Sequence, residues 1–323
     1  MVREHGEPGD ALRVEPVEDA PLGDAQLRIR VHAAALALPD VFMARGTYPL
    51  TPDLPFTPGQ EVAGTVVEAG RSATTRVGAR VMAITDFVHR HGGFAERTVA
   101  DEDNAYAVPD GMSDAVAAGF LIAYQTAWIG LVRRAGLAPS ETVLVLGAAG
   151  GTGSAAVQLA RALGARVIAV VNGEAKAAHC HALGAQHVVD RSRDDVPAAV
   201  RELTGGRGAD VVYDPVGGDA GAAAARCVAN EGRFLAVGFA AGEWPTIEVP
   251  RLVVGNYSLV GVYAGAYSRG ERVEMTDALT GLVARGELVP HVTPVAFDDL
   301  PAALAGVAAG TTLGRPVAVL PGV

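Results

Sequence analysis

Apolar and polar positions along this 323-residue chain change rhythm near residue 115. Before that point, short runs bounded by Gly and Pro predict strands at residues 25–35, 59–69, 78–83 and 93–99, with no helix between them. Beyond it the spacing turns helical, from Ser113 through Ala127-Trp128-Ile129-Gly130-Leu131 to a turn at Pro139. Strand-like runs then recur near residues 143, 166, 187, 210 and 233 with helical stretches between them. That alternation predicts an α/β domain with a doubly wound parallel sheet. Val143-Leu144-Val145-Leu146 is continuous, apolar and β-branched, as a strand buried on both faces should be. Past Ser258 the pattern predicts a strand at 259–263, an amphipathic helix at 271–285 and a last strand at 315–320. The expected organisation is a β-rich domain over residues 1–119, an α/β domain over 120–258, and a tail, 259–323, returning to the first.

Between the strand at 143 and its helix lies Gly147-Ala148-Ala149-Gly150-Gly151-Thr152-Gly153. Glycines at such an elbow let backbone approach a pyrophosphate, while the free N–H groups and dipole of the helix start attract its charge. Aligned to G-x-G-x-x-G, the elbow reads Ala148-x-Gly150-x-x-Gly153; alone, that fits a nucleotide cradle or a merely tight βα turn. The next strand, 166–171, comes at the spacing of a βαβ unit. An enzyme specific for NAD places an acid at its end to accept from the ribose 2′-hydroxyl. Here Asn172-Gly173 stands there, followed by Lys176, the only lysine in the chain. Arg191, just after the third strand, points at the same corner. A missing acid and added bases predict a 2′-phosphate, hence NADP (NADPH) as cofactor.

Composition narrows the class. Half of the residues are hydrophobic, enough for a large core, and the net charge of −10 argues against nucleic acid or an anionic membrane surface as partner. Without a charged-then-apolar leader or a bilayer-length apolar run, a cytoplasmic protein acting on a small molecule is expected. Cys180 and Cys227 have no C-x-x-C partner and read as small buried or half-buried thiols.

Several motifs in order carry a resemblance: Pro39-Asp40-Val41, Gly46-Thr47-Tyr48-Pro49, 54–64 (Leu-Pro-Phe-Thr-Pro-Gly-Gln-Glu-Val-Ala-Gly), Tyr124-Gln125-Thr126-Ala127, the elbow, Asp214-Pro215-Val216-Gly217-Gly218, 232–239 and 259–263. Together they resemble the medium-chain dehydrogenase/reductase superfamily in its zinc-free NADPH:quinone oxidoreductase branch (zeta-crystallin-like). The resemblance implies a GroES-like β-barrel catalytic domain, a Rossmann cofactor domain, and a homodimer joined near the strand after Tyr257. It implies cofactor contacts from Ala149, Gly150, Gly151, Thr152 and Gly153 on the pyrophosphate. Thr126, Gly238, Phe239 and Tyr263 would lie along the nicotinamide, with Val216 and Arg315 completing the set.

Zinc-dependent cousins hold a catalytic metal on three protein ligands. Their first-domain cysteine has no counterpart at Leu38-Pro39-Asp40, the histidine of their Gly-His-Glu motif is Gln60, and the four-cysteine lobe is missing. His89 and His91 have no cysteine beside them and read as solvated loop residues. The expectation is therefore a metal-free reductase that passes hydride to an already electrophilic quinone or conjugated carbonyl. Tyr48 is the candidate proton donor, or else a loop aromatic that merely packs. Ala37 stands where many relatives carry Asn. The alternatives are an enoyl-thioester or enone reductase, and a non-catalytic crystallin-like NADPH-binding protein.

Overall fold

A single helical turn, α1 (Pro8–Ala11), precedes the ten-residue strand β1 (Gln26–Ala35) around which the N-terminal sheet is built. The computed structural model describes residues 1–321. The chain separates into two compact units, Met1–Ile122 together with the segment from His291 onward, and Ala123–Pro290. In the first unit β1 is followed by α2 (Leu38–Arg45), β2 (Glu61–Ala69), β3 (Arg80–Ile84), β4 (Arg97–Asp101), β5 (Ala105–Ala107) and α3 (Asp114–Ala118). Helix α4 (Leu121–Trp128) then leads into a π-helical turn, Ile129–Arg134, marked by the i−5 bond from the Ala135 N–H to the Gly130 carbonyl at 2.9 Å.

Helix α2 lies where the apolar pattern predicts only strands. Its local signals are nonetheless present: Pro39 in the first turn, Asp40 at N3, and Gly46 closing it in the left-handed region at φ 72°. Ala37 at the N-cap has no side-chain oxygen, so the Asp40 carboxylate reaches back instead and accepts its N–H at 2.9 Å.

The second unit runs β6 (Thr142–Leu146), α5 (Gly151–Ala162), β7 (Arg166–Val171), α6 (Glu174–Ala182), β8 (His187–Asp190), α7 (Val196–Leu203), β9 (Ala209–Asp214), α8 (Gly218–Ala224), β10 (Val228–Ala236), α9 (Val249–Gly255), β11 (Ser258–Gly261) and α10 (Arg269–Ala284). Its six strands are all parallel, in the order β11-β10-β9-β6-β7-β8. Sequence neighbours β6 and β7 pair, while β8 to β9 crosses over to the other side of β6. The strand order therefore reverses between β6 and β9. Every residue of β6 is buried, as its unbroken apolar run requires. The core beneath is Leu144, Leu146, Ile168, Val170, Val212 and Phe234.

The chain returns to the first unit at His291, not at 259: β11 pairs in register with β10, and the Gln125 amide on α4 donates to Thr276 Oγ1 on α10 at 2.9 Å. An edge strand with a polar start carries too little pattern to reveal which sheet it joins. The return comprises β12 (Val292–Ala296), α11 (Leu300–Ala308) and β13 (Arg315–Val319). The first unit's sheet is ordered β12-β13-β1-β2-β3-β5 and is antiparallel except for β12 on β13. Strand β1 pairs with β2 on one edge; on the other it pairs with β4 over its first half and β13 over its last three residues. One long strand thus ties the chain's start to its end.

Candidate functional site

At the switch point of the parallel sheet, the elbow leaves β6 through Gly147, whose φ of 55° places it in the left-handed region. Gly150 then caps α5 in extended geometry. A Cβ on Gly153 would fall 2.2 Å from the Gly147 carbonyl oxygen and 2.8 Å from the Ala148 Cα, so the helix start can pack this closely only with glycine there. Ser154 Oγ donates to the Ala148 carbonyl at 3.3 Å and stiffens the turn. The result is a cradle of backbone N–H groups at the N-terminus of a twelve-residue helix. Ala149, Gly150, Gly151, Thr152 and Gly153 all lie in it, and it fits a pyrophosphate.

The structure brings the residues of the ribose corner together. Strand β7 ends at Val171, whose carbonyl accepts the Arg191 N–H at 3.0 Å, so Arg191 stands beside exposed Asn172. Lys176 lies half-buried in the first turn of α6. One partner escaped the sequence reading. The Asp190 carboxylate accepts the Gly173 N–H at 3.1 Å and the Ser192 hydroxyl at 2.6 Å, and the hydroxyl bond above all holds its pKa below the usual carboxylate value. The corner therefore contains an acid, supplied by the neighbouring strand, with its lone pairs engaged by the turn. The β7–β8 register was the signal that could have placed it.

The far side of the switch point is formed by the loop after β9. Val216 sits against the elbow, its Cγ2 2.9 Å from where a Gly147 Cβ would stand. Gly238 and Phe239 follow β10, and the Phe239 ring tilts 42° against Trp244 at a centroid distance of 5.0 Å. Thr126 is half-buried on α4. Tyr263 is 65% exposed and, with Arg134, Trp244 and Tyr267, lines a shallow depression of about 470 Å³ in the second unit.

Two predicted residues belong to the first unit. The Tyr48 ring is half-buried in the turn after α2 and packs against the first unit's core, while its carbonyl accepts the Thr51 hydroxyl at 2.7 Å. Arg315 is buried at the start of β13, donating to the Leu36 carbonyl at 3.4 Å, and its Nε has no partner among the described residues. Around it lie two buried carboxyls the sequence did not reveal. Asp40 accepts from the N–H groups of Ala37 at 2.9 Å and Gly59 at 3.0 Å; Glu61 Oε1 accepts the Ile122 N–H at 3.2 Å and its Oε2 has no partner. Burial raises each to about 7, against the pull of Arg315.

Gln60 is buried where a zinc-binding histidine would stand in a metal-dependent relative. His89 is exposed and bonded to Asp86, and His91 is half-buried. Among the described residues no group of three or more His, Cys, Asp or Glu side chains is arranged to hold a metal ion. Both cysteines are buried and unpaired, and burial pushes the Cys180 thiol up to about 12.

A six-stranded parallel sheet with a glycine cradle at its switch point, in a chain that also builds a separate antiparallel sheet, defines a dinucleotide-binding protein of two domains. Comparison with known proteins agrees. The family model described as zinc-binding dehydrogenase matches residues 151–281, and that of the alcohol dehydrogenase GroES-like domain matches 23–110. Quinone oxidoreductase-like protein 2 of Bos taurus is 35% identical over 88% of this chain and 82% of its own. The crystal structure of Escherichia coli quinone oxidoreductase complexed with NADPH superposes with a TM-score of 0.89 at 26% identity, covering 98% of each chain. The CurK enoyl reductase structure matches at a TM-score of 0.83 and 26% identity over 99% of each. The chain belongs to the medium-chain dehydrogenase/reductase superfamily, among its quinone oxidoreductase-like members. The first unit is accordingly its GroES-like domain and the second its Rossmann-like domain.

Proposed function

We propose that this chain is an NADPH-dependent, zinc-independent reductase of quinones and related conjugated carbonyls. The observation that carries the reading is the ribose corner: Asn172 at the end of β7 where an NAD enzyme places an acid, with Lys176 and Arg191 beside it. The relative solved with NADPH supports it. Gly150, Gly151, Thr152 and Gly153 receive the pyrophosphate through backbone N–H groups, and Thr126, Val216, Gly238, Phe239 and Tyr263 serve the nicotinamide half. When bound, the reduced nicotinamide supplies hydride, two electrons and a proton, to the acceptor, and a second proton comes from water or a placed donor. Tyr48 is the donor this chain offers. A quinone needs that donor least, because its reduced form delocalises the charge. Gln60 and the missing cysteine leave no ligand set for zinc, so the acceptor must be electrophilic by itself.

A homodimer is part of the same proposal. The outer edge of β11 is unpaired, and Leu259 on it and Val249, Val253 and Val254 on α9 are exposed, Val254 by 89%. A second copy pairing edge to edge would cover them, giving a homodimer. No helix among the described residues is long and apolar enough to cross a membrane, and a cytoplasmic enzyme is the proposed setting.

The likeness to an enoyl reductase favours a second reading, reduction of an enoyl thioester. NADPH and NADH consumption measured with quinones, enones and enoyl thioesters, with and without a chelator, separates the two. Turnover of quinones with NADPH, unchanged by the chelator, is expected. Turnover of enoyl thioesters alone would establish the second reading, and binding of NADPH without turnover of any acceptor would make this a crystallin-like binding protein. Tyr48→Phe should lower turnover of enones by roughly 10²-fold and of quinones far less; equal small effects would assign Tyr48 to packing.

A further inference from the structure

Asp214, at the end of β9, is fully buried and stands between two loops rather than facing solvent. Its Oδ1 accepts the N–H groups of Val216 at 2.8 Å and Gly217 at 2.9 Å, closing the first loop on itself. Its backbone carbonyl accepts from Val237 at 2.9 Å and Gly238 at 3.2 Å, at the start of the second. From there the loops are stitched together: Ala240 donates to Pro215, Ala241 to Val216, and Gly218 to Glu243, at 3.1, 2.8 and 3.0 Å. Oδ2 has no partner among the described residues and faces α8, where a Cβ on Gly221 would stand 2.3 Å from it. A buried carboxyl with one oxygen doubly engaged and the other idle is expensive to keep for packing alone.

We infer that Asp214 is a positioning residue: its carboxyl fixes residues 215–217, the loop to which residues 237–243 are stitched by backbone bonds, and so sets the surface that receives the nicotinamide half of the dinucleotide. The inference rests on the NADP reading above. Gly238 and Phe239, two of the four predicted nicotinamide-side contacts, and the predicted cofactor contact Val216 lie on these two loops. Among the described residues, neither the elbow nor the predicted ribose corner donates a hydrogen bond to its carboxylate. Burial raises the Asp214 pKa while the Val216 and Gly217 N–H groups lower it, and an amide, which keeps an oxygen to accept both, can replace the carboxyl.

The test separates the two halves of the cofactor. Affinities for NADPH and for 2′,5′-ADP, which carries the adenosine, the 2′-phosphate and one further phosphate but no nicotinamide, are measured on wild type, Asp214→Ala and Asp214→Asn. Asp214→Ala should weaken NADPH at least tenfold and 2′,5′-ADP less than twofold, while Asp214→Asn keeps both within about threefold. Gly221→Ala, whose methyl would press on Oδ2, should give the same split more mildly, and it serves if Asp214→Ala does not fold. Parallel loss of both ligands, or retention of NADPH affinity in both Asp214→Ala and Gly221→Ala, would overturn the inference. If wild type binds 2′,5′-ADP but gains nothing from the nicotinamide half, the positioning role alone falls. If it binds neither ligand, the NADP reading itself is wrong and takes the inference with it.

Discussion

In the parallel-sheet unit the polar groups presented at the strand ends are mostly backbone: the elbow's N–H groups, the turn at Gly173, the stitched loops after β9 and β10. The antiparallel unit does the reverse and keeps charge inside, with Asp40, Glu61 and Arg315 all buried. The two designs fail differently. A backbone cradle has no side chain to lose but no room to add one, whereas a buried charge cluster accepts changes of shape more readily than loss of one member. Substitutions that add an atom should therefore damage the second unit, and those that remove a charge the first.

The largest effect is expected at the cradle. Gly153→Val puts a branched side chain where even a Cβ would meet the Gly147 carbonyl oxygen at 2.2 Å. The elbow must open, so NADPH affinity measured by calorimetry should fall at least a thousandfold, about 4 kcal/mol. Retained binding would mean that the cradle is not the pyrophosphate site. Next comes the charge cluster. Asp40→Leu leaves the Ala37 and Gly59 N–H groups without their acceptor and takes a carboxyl from the field of buried Arg315, and urea unfolding should report a loss of about 3–5 kcal/mol. A loss below about 1 kcal/mol would show that water or neighbouring carbonyls compensate, and the contrast between the units would disappear.

The same contrast decides what could be read in the sequence. Unbroken apolar strands such as Val143-Leu144-Val145-Leu146, alternating with helices and a glycine elbow, announce a parallel sheet because the periodicity is local. The meeting of Asn172 with Arg191 was legible too, since a βαβ unit brings consecutive strand ends side by side. The charge cluster was not legible. Arg315 meets the Leu36 carbonyl from 279 residues away, and no local pattern marks Asp40 or Glu61 as interior rather than surface acids. Helix α2 was missed because eight residues make little more than two turns, too few for a clear period beside strong strand signals.

Cofactor choice tests a place where side chains, not backbone, are expected to meet the ligand in the second unit. Lys176→Ala should weaken NADPH about ten- to a hundredfold, since a charge-assisted bond to phosphate contributes roughly 1.5–3 kcal/mol, while NADH changes little. Asp190 sharpens the point. Its carboxylate is fixed in the same corner by Gly173 and Ser192, so the bases must outweigh a nearby negative charge. Titration of both cofactors against the variant is decisive. A parallel loss for NADPH and NADH would make Lys176 a structural residue of α6.

The smallest effect is expected at Glu61, and its sign depends on where the cluster keeps its proton. Asp40 is bonded by two backbone N–H groups and lies in the field of Arg315, which favours the charged form. Glu61 leaves Oε2 without a partner, so the proton belongs on Glu61. Its folded pKa, raised by burial to about 7, exceeds the ordinary glutamate value of 4.5. The native state therefore binds more protons than the unfolded chain between those values, and stability falls as pH rises through that window and levels off above it. Glu61→Gln supplies a permanently neutral isostere. Near pH 5 it should change the unfolding free energy by less than about 1 kcal/mol, and above pH 8 it should equal or exceed wild type, because wild type then holds an uncompensated charge. The measurement is unfolding free energy against pH for both proteins. A Glu61→Gln variant that keeps the full wild-type slope, or is destabilised most at high pH, would place the proton on Asp40 and make Glu61 the charged partner of Arg315.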